Sequence, residues 1–228
     1  MDRLRHARTT AFRIGTAATL AAGLASLGDI ILLAHGAARE LGDSRVDATA
    51  LVAGHLLGVT CIPLYAAGYW LAARALAGAG RWTALVFPIG IYIGAVGAAV
   101  HGVTAVLIET NLHAAGPASP FTIPHAIYLT PLWGVVFAGL ILASGLIVAG
   151  ALGGRSLLPR WAAVVNPAIL ILALVLVSAP FPKLSAYLAP AAPNLAHLLF
   201  FAALTFWLAR PGDRNTPVAS SDDRSVVP

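Results

Sequence analysis

The chain has 228 residues, of which 59% are hydrophobic and only 10% charged, with a mean hydropathy of +0.84. A soluble domain carries roughly 25% charged residues, so the composition excludes an ordinary water-soluble fold and indicates an all-α polytopic membrane helix bundle. The net charge of +5 does not indicate a nucleic-acid partner, because Lys and Arg fall in short connecting segments and at the termini and form no patch interleaved with aromatics.

Residues 1–13 form a basic N-terminal segment, "MDRLRHARTTAFR", that leads into a long apolar run. A signal peptide has a shorter apolar core and a small-residue cleavage site. The run here continues past Asp29 to Ala34, so it reads as an uncleaved first span. A transmembrane domain follows over 14–210, with six helices expected at about 14–36, 48–75, 82–109, 124–150, 160–180 and 192–210, each near or above the ~20 residues of a crossing. Cys61, the single cysteine, lies in the second; it excludes an internal disulfide and reads as a small buried apolar residue. Pro63, Pro88 and Pro131 mark bends in the second, third and fourth spans, and Asn166–Pro167 reads as a kink in the fifth. Residues 211–228, rich in Pro, Ser and Asp, read as a disordered cytoplasmic tail.

The connecting segments fix an orientation. With the N-terminus in the cytoplasm, Arg3, Arg5, Arg8, Arg13, Arg74, Arg81, Arg155, Arg160, Arg210, Arg214 and Arg224 lie inside, and only Arg39, Arg45 and Lys183 lie outside. That asymmetry is the positive-inside pattern. It predicts both termini inside and a multi-pass protein of the inner (plasma) membrane. Trp70, Trp82, Trp161 and Trp207 then fall near the inner interface, as aromatic belts do.

Ionisable residues inside spans are costly and usually face a bundle interior or a watery cavity. The candidates are Asp29 and His35, His55, His101 and Glu109, His125 and Tyr128, Asn166, and Asn194 and His197. At about 1.5 Å of rise per residue, all but Asn166 fall in the outer half of the membrane. Glu109, His35 and His113 lie near or beyond its edge, and His125 and Tyr128 close to the interface. Gly90, Gly94, Gly97, His101 and Thr104 share one helix face, as do His55, Gly58, Val59 and Ile62, and Asn194, His197, Phe201 and Thr205. Asp29 is therefore expected to be buried against a partner, His55 first and His101 second. An imidazolium there would compensate the carboxylate's charge. A purely structural role, two helices joined by a hydrogen bond, competes with function at each of these positions. Asn194 in particular reads equally well as a cap for a helix that starts after Pro193.

Three chemistries can use such a layer. A zinc site with Asp29, His55, His101 and His197 as ligands would activate water for hydrolysis of a lipid-like substrate. In residue types this set is similar to the alkaline ceramidase group of membrane hydrolases. That group has seven helices, whereas here His197 has Phe201, not a second His, one turn on, and its activity is not carried over. The second chemistry is small-molecule or ion binding or transport, with Asp29, His55, His101, His197, Asn194, Tyr128 and His125 as binding or proton-relay residues. The third is haem held between His55 and His101, ranked last because the inner halves of the spans lack a second His pair.

The stretches "LGDIILL", "GHLLGVTCIPLY" and "GAVGAAVHG" resemble uncharacterised bacterial multi-pass membrane proteins that pair Gly-Asp in the first helix with His in the second and third. The resemblance implies the six-helix fold and the polar set Asp29, His55 and His101, and no activity. The working expectation is a binding or transport-type protein with an outward-facing polar site. The runner-up is a metal-dependent membrane hydrolase, and the third reading a structural or assembly subunit. The expected partners are the bilayer, a small molecule or ion, and a second copy of the chain.

Overall fold

A computed structural model describes residues 2–40, 48–113 and 122–210, with side chains described for 6, 8–32, 49–104, 129–185 and 188–210. All regular structure among them is helical: α1 (Asp2–Glu40), α2 (Ala48–Cys61), α3 (Tyr65–Ala75), α4 (Val86–His113), α5 (Thr122–Leu152), α6 (Pro167–Ser178) and α7 (Pro182–Ala209). Five stretches are long and apolar enough to cross a membrane: Arg8–Leu32, Thr49–Ala75, Arg81–Thr104, Leu129–Leu152 and Leu188–Ala209. The tail 211–228 lies outside the described residues.

The helices pack in chain order around a ring. The α2–α3 unit lies against α1 and α4, α4 against α5, α6 against α7, and α7 returns to α1 in the most extensive contact; α5 meets α6 more lightly. The second span is one path in two pieces. Pro63 has no N–H to donate and its ring clashes with the preceding turn, so the chain tightens into a 3-10 turn at Ile62–Leu64 before α3 begins. Pro88, by contrast, is the third residue of α4, where no intrahelical donor is required, so it starts a helix and does not bend one.

Two segments differ from the expected pattern. The fifth span, expected over 160–180, is a 3-10 turn at Arg160–Ala163 followed by a helix of only 12 residues. The reason is local: Asn166 is the N-cap of α6 in an extended conformation, not a kink within a longer helix. Its side-chain oxygen accepts from the Ile169 N–H at 3.2 Å while its amide donates to the Ala163 carbonyl at 2.7 Å, and Pro167 occupies the first helical position. The sixth span, expected to start at 192, begins ten residues earlier at Pro182 and carries Pro190 and Pro193 in its interior. Both prolines read as breakers in the sequence, but helices packed among others tolerate them where neighbouring groups satisfy the freed carbonyls.

Stripes of small residues set which faces turn inward. On α1, Ala18, Ala22 and Ala25 are fully buried, and Asp29 continues that stripe one turn on. On α4 the glycine face packs along the α2–α3 path: Gly90 against Tyr69, and Gly94 and Gly97 against Ile62. Between the interior around Asp29 and the end of the bundle that holds Arg74 and Arg155, Tyr69, Leu76, Phe200 and Phe201 fill the core and are all essentially inaccessible.

Candidate functional site

Asp29 reaches the interior next to a point of close backbone approach. A Cβ on Gly28 would lie 2.7 Å from the carbonyl oxygen of Gly54, so α1 and α2 meet there only because both residues are glycine. Each glycine immediately precedes a polar candidate, Asp29 on α1 and His55 on α2. The close crossing thus sets a carboxylate and an imidazole at the same level of the bundle.

The hydrogen-bond partner of Asp29 is not His55, as the sequence suggested, but Asn194. The Asn194 amide donates to Asp29 Oδ2 at 2.7 Å, and its side-chain oxygen accepts from the Tyr65 hydroxyl at 2.7 Å. Asn194 is free to do this because α7 already extends twelve residues before it; it does not serve as a helix cap. The other carboxylate oxygen, Asp29 Oδ1, faces His101 Nε2 at 3.6 Å, beyond hydrogen-bond length. The His101 ring packs against Gly58, where any side chain would displace it.

A second group sits one turn along α7. His197 Nδ1 lies 2.7 Å from the Pro193 carbonyl, which can only accept, so Nδ1 carries the proton. Nε2 is then the acceptor for the Tyr69 hydroxyl at 2.8 Å. Tyr65 lies over the same imidazole at 4.5 Å between ring centroids, and Phe201 flanks both tyrosines. The two tyrosines are the residues that sequence reasoning missed. Their signal was present: they stand four apart, on one face of a helix that begins just after Pro63, and a buried tyrosine hydroxyl requires a partner.

His55 has no such partner. It is only 5% exposed, its ring lies edge-on to His101 with centroids 5.9 Å apart, and among the described residues neither Nδ1 nor Nε2 has a hydrogen-bond partner. Its ring borders a cavity of about 250 Å³, to which Asp29, His101, Asn194 and His197 also contribute. The remaining wall carries Tyr65 and Thr104 and is otherwise apolar, formed chiefly by Leu32, Ile93, Val100, Val136, Leu140 and Trp133. Most of the expected site residues therefore reach one cavity. Side chains of His125 and Tyr128, and those of His35, Glu109 and His113, lie outside the described residues. Asn166 is remote, spent on capping α6.

The donor set bears on the metal and haem readings. Among the described residues no group of three or more His, Cys, Asp or Glu side chains is gathered closely enough to hold a metal ion. Both His197 nitrogens are engaged by protein groups, so that residue is not a free ligand. His55 and His101 lie edge-on to each other with ring centroids 5.9 Å apart, and the cavity of about 250 Å³ beside them is smaller than the ~300–1,000 Å³ of sites that hold cofactor-sized ligands.

The sequence matches no curated protein and no solved structure. Residues 7–210, almost the whole helical region, match DUF6796, a family of unknown function, and the chain belongs to that family.

Proposed function

We propose that this chain is an integral membrane protein that binds a small molecule inside its helix bundle. In this reading the chain makes six spans with both termini in the cytoplasm, and the cavity bordered by Asp29, His55 and His101 lies in the outer half of the membrane. The observation that carries it is His55. A buried imidazole with both nitrogens unpartnered costs roughly 1–3 kcal/mol, and a ligand in the adjoining space would recover that cost. A purely structural role accounts for Asn194, Tyr65, Tyr69 and His197, whose polar atoms are paired, but leaves His55 without a purpose.

Six spans are supported by the ends of α6. Trp161, just before it, meets Trp207 near the C-terminal end of α7, ring centroids 5.8 Å apart. Pro182, just after it, starts α7, about 37 Å away along that helix at the usual rise. The chain between Trp161 and Pro182 thus runs the length of α7 in reverse, although its helical part is only about 18 Å long. Binding is the step that the cavity supports. The packed Tyr69, Leu76 and Phe201 layer closes the route toward the arginine-rich end, so carriage across the bilayer would require that layer to open.

The test is equilibrium binding of benzyl alcohol, a compact probe with one polar end, to protein in lipid nanodiscs by saturation-transfer NMR. Binding to the wild type that is lost in Val136→Phe, which fills the cavity from α5, supports the reading. Equal signals from the two proteins would overturn it, as would the absence of binding by benzyl alcohol and by its amine and carboxylate analogues alike.

A further inference from the structure

The chemistry of the cavity's polar end specifies the head group it fits. We infer that the site takes a small protonated amine on a compact apolar skeleton. This rests on the binding reading above and narrows it to one ligand class.

Three observations converge. The first is charge. Among the described residues that border the cavity there is one carboxylate, Asp29, and neither Lys nor Arg. A buried carboxylate without a cationic partner is costly, and a cationic ligand supplies that partner. An anionic head group would be repelled by Asp29.

The second is hydrogen-bonding capacity. Asp29 Oδ2 is taken by Asn194, but Oδ1 has no hydrogen bond among the described residues. His55 offers both nitrogens, and each neutral imidazole has one acceptor nitrogen. Asp29 Oδ1, His55 and His101 therefore present three acceptors from α1, α2 and α4. A primary ammonium carries three N–H donors, one for each of those acceptors, and leaves the imidazole N–H groups to other partners. A hydroxyl head brings a single donor and would leave acceptors unmet.

The third is size and lining. The cavity of about 250 Å³ is smaller than the ~300–1,000 Å³ of drug-sized sites. Away from its polar end it is walled by aliphatic residues, Trp133 and Thr104, whose hydroxyl is spent on the Val100 carbonyl. The skeleton it accepts is compact and apolar: a short alkyl chain or one ring. Sugars, nucleotides and polyamines, with polar groups along their length, do not fit such a wall.

The experiment compares three probes of one shape in nanodisc-embedded protein at neutral pH: benzylamine, benzyl alcohol and phenylacetate. Benzylamine is expected to bind about tenfold or more tightly than benzyl alcohol, with phenylacetate weakest. In Asp29→Asn the amine's advantage over the alcohol is expected to vanish. In His55→Leu, which keeps Asp29 and its bond to Asn194, the amine is expected to weaken more than the alcohol, so the inference stays testable if the Asp29→Asn variant fails to fold. Alcohol binding that equals or exceeds amine binding, or an amine preference that survives both substitutions, overturns the amine assignment and leaves the binding reading standing. Absence of binding by all three probes removes both.

Discussion

Asn194 on α7 and Asp29 on α1, 165 positions apart in the chain, are joined by a 2.7 Å hydrogen bond, and Asn194 accepts a second from Tyr65 at the same distance. One amide thus ties three helices together. Replacing it by leucine leaves both a carboxylate oxygen and a tyrosine hydroxyl without their partner. The expected loss for Asn194→Leu is about 2–4 kcal/mol, against about 0.6–1.7 kcal/mol for Tyr65→Phe, which removes only one end of the chain. Reversible unfolding in mixed detergent–lipid micelles measures both. Equal losses would show that the bond to Asp29 contributes nothing.

The Gly28–Gly54 crossing makes a sharper steric prediction. A methyl group on Gly28 would press on the Gly54 carbonyl, a rigid backbone atom, whereas one on Gly145 of α5 meets open space. Gly28→Ala is expected to cost about 1–3 kcal/mol. Gly145→Ala is expected to be neutral or to stabilise by up to about 1 kcal/mol through helix propensity. The same unfolding assay, run on the pair, tests the close approach; a harmless Gly28→Ala would mean that α1 and α2 stand farther apart than described.

His55 predicts an opposition between stability and function. Replacing an unpartnered buried imidazole by an apolar side chain of similar size removes a polar group that nothing compensates. His55→Leu is therefore expected to raise the ligand-free stability by about 1–3 kcal/mol while weakening amine binding. His197→Leu, which strands the Tyr69 hydroxyl and the Pro193 carbonyl, is expected to lower stability instead. If both histidine variants lose stability, His55 has a partner in the folded protein and the cavity argument fails.

Much of this was legible in the sequence, for reasons that differ by residue. Apolar runs longer than a membrane crossing located the helices, and three/four spacing put Gly90, Gly94, Gly97 and His101 on one inward face, where they are found. That Asp29, His55, His101 and His197 would share one half of the bundle followed from helix direction and rise; that they border one cavity did not. The identity of Asp29's partner did not follow, because it depends on how two distant helices are rotated about their axes. The start of α7 was missed because Pro190 and Pro193 carry a strong breaker signal in water-exposed helices that packed helices override. Tyr65 and Tyr69 were passed over, although Tyr128 was weighed, because they stand in the inner half of the second span, away from the outer polar layer; a hydroxyl buried among apolar helices is under the same obligation to pair wherever it lies.

The short α6 makes topology the remaining discriminating prediction. The Trp161–Trp207 contact and the unbroken run of α7 set the two ends of the α6 segment at opposite ends of the bundle. Residues 155 and 183 should then lie on opposite sides of the membrane. In a Cys61→Ala background, Lys183→Cys is expected to react with a membrane-impermeant maleimide in intact cells, and Arg155→Cys only after permeabilisation. Charge argues the same way: Arg155 shares its end of the bundle with Arg74, whose neighbour Ala75 accepts a backbone hydrogen bond from Leu157 at 2.8 Å, and the positive-inside rule predicts that this arginine-rich end faces the cytoplasm. If both positions react only after permeabilisation, α6 enters the membrane and returns on the same side. The chain would then make five spans, its C-terminus would lie outside, and the 12-residue length of α6 would be the physical reason.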